Sequence, residues 1–119
     1  MTSLELAREA VKALNAKKAV NIRVLEVGKL STLGDYFVIA SGTSNTQVKT
    51  LSDEVEFQLK KLGQMPARVE GQQNGQWILL DYYSVIIHLF LGETRDFYSL
   101  ERLWADAPAV DMSDIITEN

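Results

Sequence analysis

The chain has 119 residues, 46% of them apolar and 24% charged, which is the make-up of one ordinary globular domain. Twelve basic against sixteen acidic residues leave a formal charge of −4, which argues against direct nucleic-acid binding and for a basic protein partner. The absence of cysteine excludes disulfides, thiolate zinc sites and a cysteine nucleophile, and fits a reducing compartment. No run of 18 apolar residues exists, so no membrane span is expected. The N-terminus carries acidic residues early and lacks an apolar core, so neither a signal nor a transit peptide is expected, and the cytoplasm is the default location.

Leu4, Ala7, Val11 and Leu14 recur at steps of three and four, which predicts a helix over 3–16 with Thr2 and Glu5 as its capping box. "AVNIRVLEV" alternates and reads as a strand, "GKLSTLG" as a loop, and "DYFVIAS" as a strand buried on both faces. A second helix starts at Ser44, with Val48, Leu51, Val55, Leu59 and Leu62 on one side and Gly63 placed to end it. "ARVEG" is a short strand, and Asn74-Gly75 in "QQNGQ" predicts a type I′ hairpin turn. "WILLD" and "SVIIHLFL" are two further strands split by "YY". "TRDFYSLERLWAD" predicts a last helix with Phe97, Leu100, Leu103 and Trp104 on one side. The order α-β-β-α-β-β-β-α predicts an α/β fold: a mixed sheet of about five strands with helices packed mainly on one face. Residues 1–108 form the single domain in this reading, and 109–119 a flexible acidic tail.

The Ser41-Gly42-Thr43-Ser44 loop between a strand and a helix has the outline of a phosphate cradle. It lacks the chemistry: neither GxxxxGK[ST] nor GxGxxG is present, and the nearest cation is Lys49. Ser44 followed by Gln47 makes a capping box, and Gly42 allows a sharp turn, so capping is the favoured reading. Nucleotidyl transfer would need close carboxylates holding metal ions, and no Asp-x-Asp or Asp-x-Glu lies on a strand after the loop. Asp53, Glu54 and Glu56 read as a solvated helix side, and Asp35 and Asp81 as turn caps.

His88 is the single histidine, too few for a multi-histidine metal site and without a GxSxG serine to pair with. No metal and no cofactor is expected. Alternation puts Val85, Ile87 and Leu89 on one face and Ile86, His88 and Phe90 on the other; Trp77, Leu79 and Asp81 share a face, as do Ile78 and Leu80. As chemistry, His88 reads as a partly buried, hydrogen-bonded histidine. As a surface, His88 and Phe90 would belong to an aromatic sheet face left open by two helices.

"DYFVIASGTSNTQV" (35–48), "RVEG" (68–71), "WILLDY" (77–82), "VIIHLF" (85–90) and "ETRDFYSLERLWADAP" (93–108) together closely resemble the ribosomal silencing factor family, also called Iojap or RsfS. The resemblance runs from about residue 4 to residue 110. It implies a nucleotidyltransferase-like fold without the catalytic carboxylates, and a non-enzymatic translational repressor. It further implies docking on the large ribosomal subunit at ribosomal protein L-fourteen, with little direct nucleic-acid contact, so that the small subunit cannot join. By position in the family pattern, partner binding falls to Trp77, Asp81, Tyr82, His88, Phe90 and Tyr98, with Arg95 adding a charged contact. A homodimer through the same face is compatible with this reading.

The chain departs from the pattern twice. Tyr83 and Ser84 stand in "DYYSV" where relatives read "DYGDV", making that turn bulkier and less charged. Leu91 in "HLFLGE" replaces the second histidine of "HxFHxE". The competing reading is a nucleotide-binding or residual nucleotidyltransferase-like protein on the same fold, with magnesium-dependent nucleotide binding near Ser41–Thr43.

Overall fold

A computed structural model of the chain describes residues 1–30, 34–92 and 100–117. Helix α1 (Ser3–Ala16) starts where Thr2 caps it: the Thr2 hydroxyl accepts from Glu5 N–H at 3.1 Å and the Glu5 carboxylate accepts from Thr2 N–H at 2.8 Å. This is the expected capping box, a device worth about 1 kcal/mol. Strands β1 (Val20–Glu26) and β2 (Tyr36–Gly42) follow, then α2 (Asn45–Lys61), β3 (Arg68–Glu70), β4 (Trp77–Asp81), β5 (Val85–Leu91) and a short α3 (Leu100–Leu103).

Helix α2 begins and ends by local chemistry. The Ser44 hydroxyl accepts from Gln47 N–H at 3.1 Å, while the Gln47 side chain accepts from Thr43 N–H at 2.6 Å, one residue earlier than the capping box predicts. At the other end Gly63 has φ of +79°, its N–H reaches Lys60 C=O, and Gln64 N–H reaches Leu59 C=O. That pair of bonds is a Schellman stop, which the missing Cβ of glycine permits. Leu62, expected on the packed side, is exposed because it already sits in the cap.

The five strands form one mixed sheet in the order β1-β2-β5-β4-β3, with β2 and β5 parallel and every other pair antiparallel. Both α1 and α2 pack on one face. There Leu6, Ala10, Val11 and Leu14 of α1 and Val48, Leu51, Val55 and Leu59 of α2 close over Val24, Val38, Ala40, Ile78, Leu80, Ile87 and Leu89. A smaller cluster occupies the opposite face: Leu25, Val27, Phe37, Ile39, Ile86, Phe90 and Ala107, flanked by Trp77, Leu79 and Trp104. The α/β fold with a mixed five-stranded sheet is therefore as the sequence predicts.

Three local expectations need correcting. The β3–β4 hairpin does not turn through a two-residue type I′ turn at Asn74-Gly75. Six residues, 71–76, connect the strands; positive φ falls on Gly71 (+84°) and Gly75 (+66°), and Asn74 lies outside that region. The Asn74 side chain accepts from Gln76 N–H at 2.9 Å, so the turn is an Asx turn tied to α2 by Asn45 donating to Asn74 C=O. The last helix is described only over Leu100–Leu103, and Leu103, expected to pack, is 76% exposed. Phe97 lies outside the described residues.

The third correction concerns the expected tail. Residues 108–117 run back along the edge of β1: Glu26 N–H donates to Pro108 C=O and Val110 N–H to Val24 C=O, both at 2.8 Å, and Ala109 bridges Leu25. Met112 enters the helix-side core, Arg8 pairs with Asp114, and Asn15 holds Ile115 C=O and Thr117. The segment is a strap that finishes an edge. Its apolar side chains pass from a two-residue step at Val110 and Met112 to a helical step at Met112, Ile115 and Ile116, so neither period lasts long enough to mark an element in the sequence.

Candidate docking face

The face opposite α1 and α2 is built by strand register. Trp77 lies across from Phe90, Leu79 from His88 and Asp81 from Ile86. On the outer side Arg68 faces Asp81 and Glu70 faces Leu79. Paired residues share a face, so these side chains form one continuous surface with Phe37 and Ile39 of β2. Trp104 meets Phe37 edge-on at 5.2 Å and covers the β1–β2 side of this surface together with Ala107. On the β3–β4 side, Trp77, Leu79 and Asp81 are only half-buried, and Arg68 and Glu70 are exposed. Among the described residues, what is left open there is an apolar strip with a charged margin, in which Arg68 lies 3.4 Å from Asp81 and 4.0 Å from Glu70. Exposed ion pairs of this kind contribute little stability and are cheap to rearrange around a partner.

Under the strip lies an aromatic stack. Trp77 stacks on Phe90 at 5.1 Å, Phe90 on His88 at 6.3 Å, and Phe37 meets His88 edge-on at 5.0 Å. The Trp77 indole N–H donates to His88 Nδ1 at 3.2 Å. Burial disfavours the imidazolium, and the His88 pKa is pushed down to about 4. His88 is thus a neutral, hydrogen-bonded core histidine, as one reading of the sequence has it.

The site residues read from the sequence separate into three groups. Trp77 and Asp81 reach the surface on the strip. Tyr82, His88 and Phe90 do not reach it: their exposures are 3%, 5% and 0%. The exposure expected of this sheet face is corrected for these three, with His88 and Phe90 lying beneath the strip. Tyr82 follows Asp81 by one residue and so points into the helix-side core, where burial and the nearby Glu56 raise its pKa. Arg95 and Tyr98 lie outside the described residues.

The partner-binding residues read from the sequence leave out Arg68, Leu79 and Tyr83. The first two follow from pairing β3 with β4 by alternation. Tyr83 is 73% exposed at the β4–β5 turn with φ of +66°, held there by its N–H donating to Asp81 Oδ1 at 2.8 Å. A tyrosine in the left-handed region costs roughly 1–2 kcal/mol, a cost that a glycine here would not carry. The signal was the departure "DYYSV" itself.

Around the Ser41–Ser44 loop the polar groups are already engaged. Thr43 N–H and hydroxyl both donate to Gln47, the Ser44 hydroxyl takes Gln47 N–H, and a Cβ on Gly42 would stand 2.9 Å from the Val48 side chain. The loop is a turn and a cap. Among the described residues no group of three or more His, Asp or Glu side chains could hold a metal ion, and no helix is long and apolar enough to cross a membrane.

The chain and its α/β fold have counterparts among known proteins. The chain belongs to the ribosomal silencing factor family, RsfS, a family of ribosome-associated translation regulators: the family model for ribosomal silencing factor during starvation matches residues 1–119. Ribosomal silencing factor RsfS of Halalkalibacterium halodurans is 34% identical over 117 residues, 98% of this chain and 100% of that protein. A crystal structure of a Chromobacterium violaceum protein superposes with a TM-score of 0.86 at 36% identity, covering 88% of each chain. The mouse mitochondrial assembly of ribosomal large subunit protein 1 is 35% identical over 100 residues, which span 79% of this chain and 42% of that longer protein.

Proposed function

We propose that this protein represses translation by docking on the large ribosomal subunit at ribosomal protein L-fourteen, where its bulk keeps the small subunit from joining. The observation that carries the reading is the open β3–β4 strip, with Trp77 and Leu79 at its centre and Arg68, Glu70 and Asp81 along its margin. Aromatic anchors inside a polar rim are the usual anatomy of a protein interface. Two carboxylates to one guanidinium suit a basic ribosomal protein and speed encounter more than they deepen affinity. A body of 12.9 Å radius of gyration is large enough to occupy the space of an incoming subunit without any bond being made or broken. The fold would be a nucleotidyltransferase relative whose sheet keeps none of that chemistry, and the site of action is the cytoplasm. A homodimer of the free protein would bury the same strip and compete with docking.

Co-sedimentation with separated large subunits, small subunits and joined ribosomes tests the proposal. Co-migration with large subunits alone, with fewer joined ribosomes on remixing, is the expected result. Failure to co-migrate at moderate salt would overturn it. The nucleotide reading fares worse, because Gln47 already takes the Thr43 N–H and hydroxyl; it predicts a rise in melting temperature with ATP or GTP, and none is expected.

A further inference from the structure

The open strip has one anchor whose orientation is set from below. Trp77 is half-buried, with its indole stacked on Phe90 at 5.1 Å. Stacking alone lets a ring slide and rotate, because dispersion is not directional. The indole N–H fixes the ring in one orientation only if an acceptor waits at one place, and His88 Nδ1, 3.2 Å away, is that acceptor.

The imidazole is itself held fast. Phe37 and Phe90 contact it, it is 5% exposed, and Leu79 lies across from it in register. A neutral imidazole that accepts at Nδ1 carries its proton on Nε2. Here Nε2 is buried with no hydrogen-bond partner. A phenylalanine would fill nearly the same space without that unpaired donor, so packing alone gives no reason for a histidine. What histidine adds is the acceptor under Trp77.

We propose that His88 is a positioning residue for partner binding: it never touches the partner, but holds the Trp77 indole in the orientation that docks. This rests on the docking reading above and deepens it. Histidine at this place costs the fold an unsatisfied buried N–H and returns a pre-oriented anchor. Ordering that side chain before the encounter removes part of the entropy that docking would otherwise lose.

The test uses the full chain, isolated large ribosomal subunits, and two substitutions that pull stability and binding in opposite directions. His88→Phe removes the acceptor and the orphaned donor together. It is expected to melt at or above the temperature of the unsubstituted protein, yet to bind large subunits about five-fold more weakly, the worth of one hydrogen bond. His88→Asn keeps an amide oxygen near the place of Nδ1 but leaves a void beyond it. It is expected to be less stable and to bind within about two-fold of the unsubstituted protein. The Trp77 indole N–H resonance, told from Trp104 by Trp77→Phe, should move in His88→Phe and return towards its place in His88→Asn. Equal binding by His88→Phe with an unmoved resonance would overturn the proposal. So would binding by His88→Asn as weak as that of His88→Phe, since the histidine would then act through packing. If the unsubstituted chain itself fails to bind large subunits, the docking reading falls and this role with it. That outcome is distinct because it appears before any substitution is made.

Discussion

On the helix side of the sheet, Val38, Ala40, Leu80, Ile87 and Leu89 are fully buried and bring no polar side-chain atom with them. On the other side, Trp77, Asp81 and His88 interrupt the apolar surface, and two of the three are only half-buried. The same five strands thus present one face that answers to packing alone and one that keeps hydrogen-bonding groups at or just below solvent. Buried area decides stability on the first face. Orientation matters as well on the second, so substitutions there should change binding out of proportion to what they do to folding.

Leu80→Ala should give the largest stability loss, about 2–5 kcal/mol, because it opens a cavity in the helix-side core under α2. Urea unfolding reads it, and the fraction that stays folded should bind large subunits normally. A binding defect in that folded fraction would break the contrast between the faces. Trp77→Ala should reverse the pattern, weakening large-subunit binding by about 2 kcal/mol or roughly 30-fold while the protein stays folded. Co-sedimentation across a subunit titration measures it.

The next effect depends on pH. The native state keeps His88 neutral down to about 4, while the unfolded chain protonates it near its ordinary value of 6.5. Protons therefore favour the unfolded state, and stability contributed by neutral His88 is complete above about pH 6.5 and falls as pH drops towards 4. Between pH 7 and pH 5 the loss should be about 2 kcal/mol. Comparison with His88→Phe, which should lack this slope, isolates the histidine. Ser44→Ala should cost least, about 1 kcal/mol of stability from the lost α2 cap, with no change in binding. Any added loss of nucleotide response in that variant would revive the phosphate reading of the loop.

Elements whose cause is local were legible in the sequence. Thr2 and Glu5, Ser44 and Gly63 mark helix ends by chemistry acting over three or four residues, and they stand where the pattern puts them. Alternation likewise assigned Trp77, Leu79 and Asp81 to a common face, and that is how β4 pairs with β5. Alternation gives the face of a side chain but not what lies over it, so His88 and Phe90 could be placed beside Trp77 and still be misjudged as surface. Tyr82 shows the same limit: the family pattern grouped it with Asp81, and the pleat sends the two in opposite directions. Asn74-Gly75 was misread because a two-residue turn is the commonest use of that pair, while contact between Asn45 and Asn74 opened the connection to six residues. The strap was invisible for a related reason, since its partners Arg8, Asn15 and Val24 lie roughly a hundred residues away in the chain or nearly so.

That strap has a consequence for how the molecule behaves in a crowd of its own copies. A sheet is most easily recruited into aggregates through its rims, where unpaired amides invite another strand. Here β1 already has Pro108 and Val110 bonded along its outer side, and β3 is three residues long with Arg68 and Glu70 upon it. Each rim is blunted by a different means, one by cover and the other by brevity and charge. A concentrated stock should therefore stay clear of fibrillar assembly for as long as the strap is seated, and chain cut before Pro108 should be the form that precipitates.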